Sequence, residues 1–174
     1  MKWIISLFMG ISLFGGNLQF VKGEVKAHTS VFGDSQIDPK SSYLESHLTI
    51  KDRDLKSIRG VVEMPVKSLK SENSKRDEHM YDMFEADKYP VITVKIENIK
   101  KDANSTLIYT KFNIHGVTKE VVLKGDIENK NNLINIKAKG SIKVTSFGMK
   151  PPRLLFLTVR DRVDLFIDTY FKEK

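Results

Sequence analysis

The sequence predicts an all-β fold of the antiparallel kind with one short helix. From Val25 to Phe171, about eight short segments alternate apolar and polar side chains with a period of two. Turn-forming stretches such as Asn129–Asn132 separate these segments, and no helix-rich half follows them. One domain is expected for 174 residues. The alternation fits a closed barrel or a two-sheet sandwich, and by itself it does not separate the two.

The N-terminus has the pattern of a targeting segment. Lys2 supplies a positive charge, and an apolar run follows from Trp3 to Gly16. This run is short for a membrane span. We therefore expect a signal peptide over residues 1–23, cleaved after Gly23, and a barrel domain over residues 24–174. A cut after Gly15 or Gly16, or an uncleaved N-terminal anchor, is the alternative.

The first part of the predicted domain contains three strands. They cover Val25–Phe32, Ser42–Lys51 and Ile58–Val66, with a polar turn between the second and the third. In the second and third strands one face is apolar, which predicts that it points inward. The inward residues of these two strands are Leu44, Leu48, Ile58, Val62 and Met64.

A helix from Ser74 to Lys88 interrupts the strands. Asn73 or Ser74 can cap its start, and Pro90 limits its end. Three apolar side chains fall at i, i+3 and i+4 and so share one helical face, which suits a cover for the end of a sheet. They are Met80, Met83 and Phe84.

The remaining strands follow one another with short turns. They are predicted at 91–99, 106–114, 117–128 and 134–144, and a last pair is predicted at 154–159 and 163–171. The inward positions alternate with polar ones that include several lysines. The inward residues singled out here are Ile92, Val94, Ile96, Phe112, Ile114, Val121, Leu123, Ile136 and Ile142.

Three motifs together resemble those of the YceI family. Arg76, Asp77 and His79 match its RD-H element, and Phe84 to Ile92 match its following F-x-x-x-x-Y/F/H-P-x-I/V pattern. Ile114 to Thr118 match its IHGVT sequence before an apolar strand. The resemblance implies an exported protein with an eight-stranded, lipocalin-like antiparallel β-barrel. It also implies a long apolar ligand of the polyisoprenoid type inside the barrel.

The resemblance makes the inward residues a candidate binding site. From composition alone, a filled core and an open cavity are equally consistent with a barrel of eight strands. With the family resemblance, the seventeen inward and helical residues named above are expected to line a lumen, with the helix near its mouth. A polar group is expected at that mouth, made of Arg76, Asp77, His79 and His115.

Motifs of catalysis and metal binding are missing from the sequence. It contains no Cys, no HExxH and no GxSxG, so neither a cofactor nor a metal is predicted. The net charge of +7 comes with scattered lysines, which indicate a solvated face and no nucleic-acid partner.

We expect a non-enzymatic carrier of a long lipid. The alternatives are an envelope protein with a filled core, or an enzyme acting on a lipid head group at the mouth. The sequence does not decide whether the protein forms a homodimer or makes transient contact with a membrane.

Overall fold

A computed structural model describes residues 15–30, 36–103, 105–151, 153–154 and 157–174 of the chain. The helix α1 spans Ser74–Met83, and single 3-10 turns span Val66–Ser68 and Val144–Phe147. The strands, in chain order, are β1 (Gly15–Ser30), β2 (Gln36–Ile37), β3 (Lys40–Ser41), β4 (Glu45–Lys51), β5 (Asp54–Pro65), β6 (Val91–Lys101), β7 (Thr106–Ile114), β8 (Val117–Lys130), β9 (Leu133–Lys143), β10 (Arg153–Leu154), β11 (Leu157–Thr158) and β12 (Arg162–Glu173).

Eight of these strands form a closed antiparallel barrel. Their order is β12-β9-β8-β7-β6-β5-β4-β1, and β12 pairs with β1 to complete the circle. Closure removes the free edges that an open sheet would expose. The predicted eight-stranded barrel with one helix is therefore confirmed.

The first strand of the barrel begins earlier than the sequence suggested. Residues Gly15–Leu18 pair with β4, and Leu18–His28 pair with β12, with a bulge at Val21. Leu18 is 1% exposed, and the Phe20 ring contacts Phe171 edge-on at 6.0 Å between centroids. The strand predicted from Val25 is thus the second half of a longer one, and its predicted end at Phe32 lies outside the described residues.

The predicted pairing of the last two strands is wrong. Residues 162–171 pair with β9 on one side, and residues 164–173 pair with β1 on the other. Both edges of β12 are therefore occupied. In the segment predicted as its partner, the short strands β10 and β11 pair only with each other, and residues 155 and 156 lie outside the described residues. The apolar run there resembles a strand in sequence, but in the closed barrel both edges of β12 are taken by β9 and β1.

The helix ends five residues before the predicted Lys88, in a Schellman motif. Asn73 caps its start by accepting the Arg76 N–H at 3.1 Å. At the other end, the Ala86 N–H donates to the Tyr81 carbonyl and the Glu85 N–H donates to the Asp82 carbonyl, each at 3.0 Å. Glu85 takes the left-handed conformation that this motif requires, at φ 47°. The helix thus ends well before Pro90, and the Schellman motif rather than the proline terminates it.

The two ends of the barrel are packed differently. At the end away from α1, apolar side chains fill the interior, and Leu18, Ile50 and Ile58 are each no more than 1% exposed. At the other end, α1 lies in the connection between β5 and β6, and Val144 and Arg160 line the same cavity as α1 does. The barrel is therefore closed by its own side chains at one end and covered by chain segments at the other.

Two inward glycines mark places where neighbouring strands approach closely. A Cβ on Gly60 would collide with the carbonyl oxygen of His47, and one on Gly125 would collide with that of Lys137. Gly60 also has a φ of 125°, which side chains rarely adopt. These glycines permit close strand pairing and strand curvature. Among the described residues, no helix is both long and apolar enough to cross a membrane.

Candidate binding cavity

The barrel encloses a cavity of about 460 Å³ that extends to the end covered by α1. This volume lies within the range of about 300–1,000 Å³ that ligand pockets occupy. Leu, Ile, Val, Met and Phe side chains from every barrel strand make up most of its wall. The interior is therefore partly empty, and the cavity suits an apolar ligand.

Fifteen of the seventeen predicted lumen residues line this cavity. They are Leu44, Leu48, Val62, Met64, Met80, Met83, Phe84, Ile92, Val94, Ile96, Phe112, Ile114, Leu123, Ile136 and Ile142. Ile58 does not, because it lies in the packed closed end, where it is 0% exposed. Val121 does not line it either, although it is buried on the inward face of β8.

Further residues that were not singled out also line the cavity. Those of β1 and β12 were missed because no inward face was assigned to either strand. Those of the connecting segments lie outside any alternating pattern. Ile108, Ala138 and Val144 fall on the inner faces that the alternation predicts in 106–114 and 134–144, although they were not named as site residues. The other apolar residues of this set are Val25, Ala27, Ile37, Pro39, Leu69, Met149, Pro151, Val159, Val163, Leu165, Ile167 and Phe171.

The hydroxyl groups that reach the cavity wall are bonded to the backbone. The Thr110 hydroxyl donates to the Val121 carbonyl at 2.6 Å, and the Thr169 hydroxyl donates to the Ile136 carbonyl at 3.3 Å. A hydroxyl that is already bonded in this way adds little polarity to the wall. The deep part of the cavity therefore offers a ligand apolar contact and few polar partners.

The apolar face of α1 covers the cavity. Met80, Met83 and Phe84 all line it and are half-buried. Met side chains adapt their shape to irregular partners, which suits a cover over a ligand of variable length. The predicted position of the helix near the mouth is confirmed.

Asp77 fixes the start of this helix. It is 6% exposed, and its carboxylate accepts the Ser71 N–H at 2.8 Å. The Asp77 N–H in turn donates to the Asn73 carbonyl at 3.0 Å. A buried carboxylate in this position ties the helix to the segment before it, which is a structural role.

The polar network predicted at the mouth does not form as one unit. Arg76, Asp77 and His79 all line the cavity, but among the described residues no hydrogen bond or ion pair joins them. Arg76 reaches the Gln36 carbonyl at 3.4 Å, and the His79 side chain is exposed. His115, the fourth predicted member, does not line the cavity.

His115 instead joins three chain segments beside the mouth. It lies with Gly116 in a two-residue hairpin turn between β7 and β8, both at positive φ (54° and 73°). Its Nε2 lies 3.0 Å from the Glu85 carboxylate and its Nδ1 lies 3.3 Å from the Phe147 carbonyl. Both partners accept hydrogen bonds, so either ring nitrogen of His115 has an acceptor within reach. The Tyr89 ring packs against it at 4.6 Å between centroids.

One group of potential metal ligands lies on the outer face of the described barrel. Atoms of Glu45, His47 and Glu63 lie within 4.8 Å of one another on β4 and β5. The three side chains are exposed or half-exposed, and they point away from the cavity by strand alternation. Exposed carboxylates often meet in this way without a metal, so we assign the group no role in the cavity.

Comparison with known protein families gives a match over nearly the whole chain. Residues 10–171 match the family described as the YceI-like domain. No curated protein matches the sequence.

Solved structures of similar fold include three from different bacteria. The chain superposes on Burkholderia cenocepacia BcnA with a TM-score of 0.75 at 14% identity, covering 85% of this chain and 95% of that one. For a polyisoprenoid binding domain from Saccharophagus degradans, implicated in plant cell wall breakdown, the TM-score is 0.68 at 12% identity, covering 91% and 99%. For the Campylobacter jejuni YCEI protein, it is 0.54 at 18% identity, covering 100% and 92%. At these identities the likeness establishes the fold.

Proposed function

The chain belongs to the family of YceI-like domains, and from that premise we propose that it binds a long apolar lipid of the polyisoprenoid type inside its barrel. The observation that carries the proposal is the cavity of about 460 Å³ with its apolar wall. Burying apolar surface is worth about 25 cal/mol per Å², so a long chain binds well with few polar contacts. The polyisoprenoid binding domain from Saccharophagus degradans, which shares the fold, supports the choice of ligand class.

The role that we propose is carriage or sequestration without chemical conversion of the lipid. Two titratable groups near the mouth, Asp77 and His115, are engaged in structural contacts. The Asp77 carboxylate accepts the Ser71 N–H, and His115 lies between Glu85 and the Phe147 carbonyl. General-base catalysis needs a side chain within reach of a reacting group, and these contacts direct both groups elsewhere.

We also propose that the protein is exported. Lys2 and the apolar run from Trp3 to Gly16 support a signal peptide. An apolar lipid has very low solubility in water, so a carrier outside the cytoplasm would move it or store it between membranes.

Organic extraction of freshly purified protein tests the proposed function. The expected result is about one long apolar lipid per chain, identified by mass spectrometry of the extract. A protein that yields no lipid and takes none up from detergent-free lipid dispersions would contradict the proposal. That outcome would favour a structural protein whose cavity stays empty.

A further inference from the structure

Three cationic side chains and one imidazole gather at the end of the cavity that α1 covers. Lys75, Arg76 and His79 come from α1, and Arg160 comes from the segment before β12. All four line the same cavity whose deeper wall is apolar. Lys75, His79 and Arg160 are exposed, and Arg76 is half-buried, so this cationic rim borders both solvent and cavity.

Within the described residues, the cationic rim has no carboxylate partner. Asp77 lines the cavity too, but it is buried and its carboxylate accepts the Ser71 N–H. Arg76 has one long hydrogen bond, to the Gln36 carbonyl at 3.4 Å. Most N–H donors of the rim therefore have no acceptor among the described residues and are available to a ligand.

Several other cations near the same end of the barrel are paired with acidic side chains. Lys26 and His28 share Asp38, Lys67 pairs with Asp87 at 2.7 Å, and Lys88 pairs with Glu85 at 3.7 Å. Lys70, Lys143 and Lys150 also form no ion pair with the described residues, but they do not line the cavity, so the rim differs from them by its position. Free cations at the edge of an apolar cavity are suited to an anion that is attached to an apolar chain.

We propose that the bound lipid carries a phosphorylated head group, with its tail in the barrel and its phosphate oxygens at the cationic rim. This inference rests on the proposed function, because it names the class of lipid that the same cavity takes. Arg76 and Arg160 present planar guanidinium groups that bind phosphate oxygens in a bidentate way. With Lys75 they offer more donors than the two oxygens of a carboxylate can accept, which favours a phosphate or diphosphate head.

A matched pair of probes tests the proposal on the purified full-length protein. Geranylgeranyl diphosphate and geranylgeraniol share one tail and differ in the head. We expect the diphosphate to bind at least about tenfold more tightly in titration calorimetry, since hydrogen bonds to charged groups contribute that much or more. Equal affinity for the two probes would overturn the phosphorylated head while leaving lipid binding intact. Binding of neither probe would overturn both proposals.

Inorganic diphosphate separates a lipid head group from a free anion. We expect it to bind far more weakly than geranylgeranyl diphosphate, because it buries no apolar tail in the cavity. Inorganic diphosphate that binds as tightly as the lipid would show a site for a free anion, and it would overturn the assignment.

Charge-removing variants locate the contact. In the double variant Arg76→Gln/Arg160→Gln, affinity for the diphosphate should fall at least about tenfold, while affinity for geranylgeraniol should stay within about twofold. Lys75→Gln/Arg160→Gln, which changes only exposed side chains, should act in the same direction and guards against a folding defect. Arg53→Gln, in the turn at the closed end, is the matched control and should change neither affinity. A diphosphate preference that survives both double variants would overturn the role of the rim.

Discussion

The contact between Glu85 and His115 shows how single residues hold the mouth together. Glu85 occupies the left-handed position that ends α1, and its carboxylate reaches the ring of His115 in the β7–β8 turn. The hydrogen bond from His115 holds the pKa of Glu85 below its ordinary value. The end of the helix, a hairpin turn and the segment at Phe147 are thereby joined through one imidazole.

This contact predicts an acid-sensitive contribution to stability. Because the pKa of Glu85 is lower in the folded protein than in the unfolded chain, the contribution is full above the unfolded pKa and is lost as pH falls through the folded one. Glu85→Gln should therefore be slightly less stable than wild type at pH 7. The difference should shrink between about pH 5 and pH 3, measured by urea unfolding.

A matched carboxylate isolates this effect from general acid unfolding. Glu120 is exposed on β8 and has no ion pair within the described part of the chain. Glu120→Gln should differ little from wild type at either pH. If the gap between Glu85→Gln and wild type stays constant down to pH 3, the proposed contact does not contribute to stability.

Single positions also show how far the sequence predicts the cavity. Strand alternation assigned Leu48 and Ile58 to the inner face, and both are buried. It could not give their depth along the barrel, and only Leu48 lines the cavity. Arg160 was missed because it lies in a segment without periodicity. Its contribution to the rim depends on how the barrel brings distant segments together.

At the scale of elements, α1 is held over the cavity by its first turn. Asp77 is buried there, and it accepts the N–H of Ser71 in the preceding segment. The helix itself is short, so tertiary contacts of this kind supply most of its stability. The barrel strands do not depend on Asp77 for their pairing.

Asp77→Ala should therefore loosen the helix more than the barrel. Leaving the Ser71 N–H without its acceptor should cost about 1–3 kcal/mol in unfolding free energy. Hydrogen exchange should speed up in residues 71–86 and stay slow in the barrel strands. Asp82→Ala, at an exposed position of the same helix, is the control and should keep wild-type exchange. Uniformly faster exchange throughout the Asp77→Ala barrel would contradict this division of roles.

The long strand β1 bears on where the proposed signal peptide would end. A cut after Gly23 would remove Leu18 and Phe20, whose side chains pack in the closed end. A cut after Gly16 would keep both, along with their pairing to β12. We propose the earlier cut, because it makes the proposed signal peptide compatible with an intact β1.

Two forms of the protein test the proposed cut. A chain that begins at Glu24 should melt at least about 10 °C below one that begins at Asn17, because losing a buried Leu or Phe side chain costs about 2–5 kcal/mol. Protein recovered from the cell envelope should have an intact mass that starts at Asn17. Equal melting temperatures, or an intact mass that starts at Glu24, would contradict the earlier cut.

The sequence predicted most elements but could not place all of their boundaries and partners. The alternation in β4 to β9 is strong because one face of each strand meets the core and the other meets water. In β1 the apolar run from Trp3 to Gly16 hid the start of the strand. The apolar segment before Arg160 resembled a strand, although its pairing is local. Pairing between the two ends of the chain is a long-range property that no local pattern contains.

At the scale of the whole molecule, closure of the barrel creates the cavity. Pairing of β12 with β1 removes the last free edge, and the packed side chains at one end leave α1 and the cationic rim at the other. Alternation alone was compatible with a sandwich, which would bury the same residues without a lumen. The family motifs decided for the barrel, and the closed sheet confirms it.

The central claim is that the apolar tail of the lipid occupies the barrel interior, and Val94 tests it most directly. Val94 lines the cavity, whereas its neighbour Lys95 is exposed and pairs with Glu97 on the outer face. Val94→Trp should place an indole in the cavity and exclude the tail. Lys95→Trp should change only the outer face and lose a surface ion pair, which contributes little to stability.

Native mass spectrometry after incubation with geranylgeraniol measures the lipid load of wild type and both variants. We predict about one lipid per chain for wild type and Lys95→Trp, and almost none for Val94→Trp. The melting temperature of Val94→Trp should stay near that of wild type without lipid, because the indole fills empty volume. A folded Val94→Trp protein that carries a full lipid load would contradict binding inside the barrel.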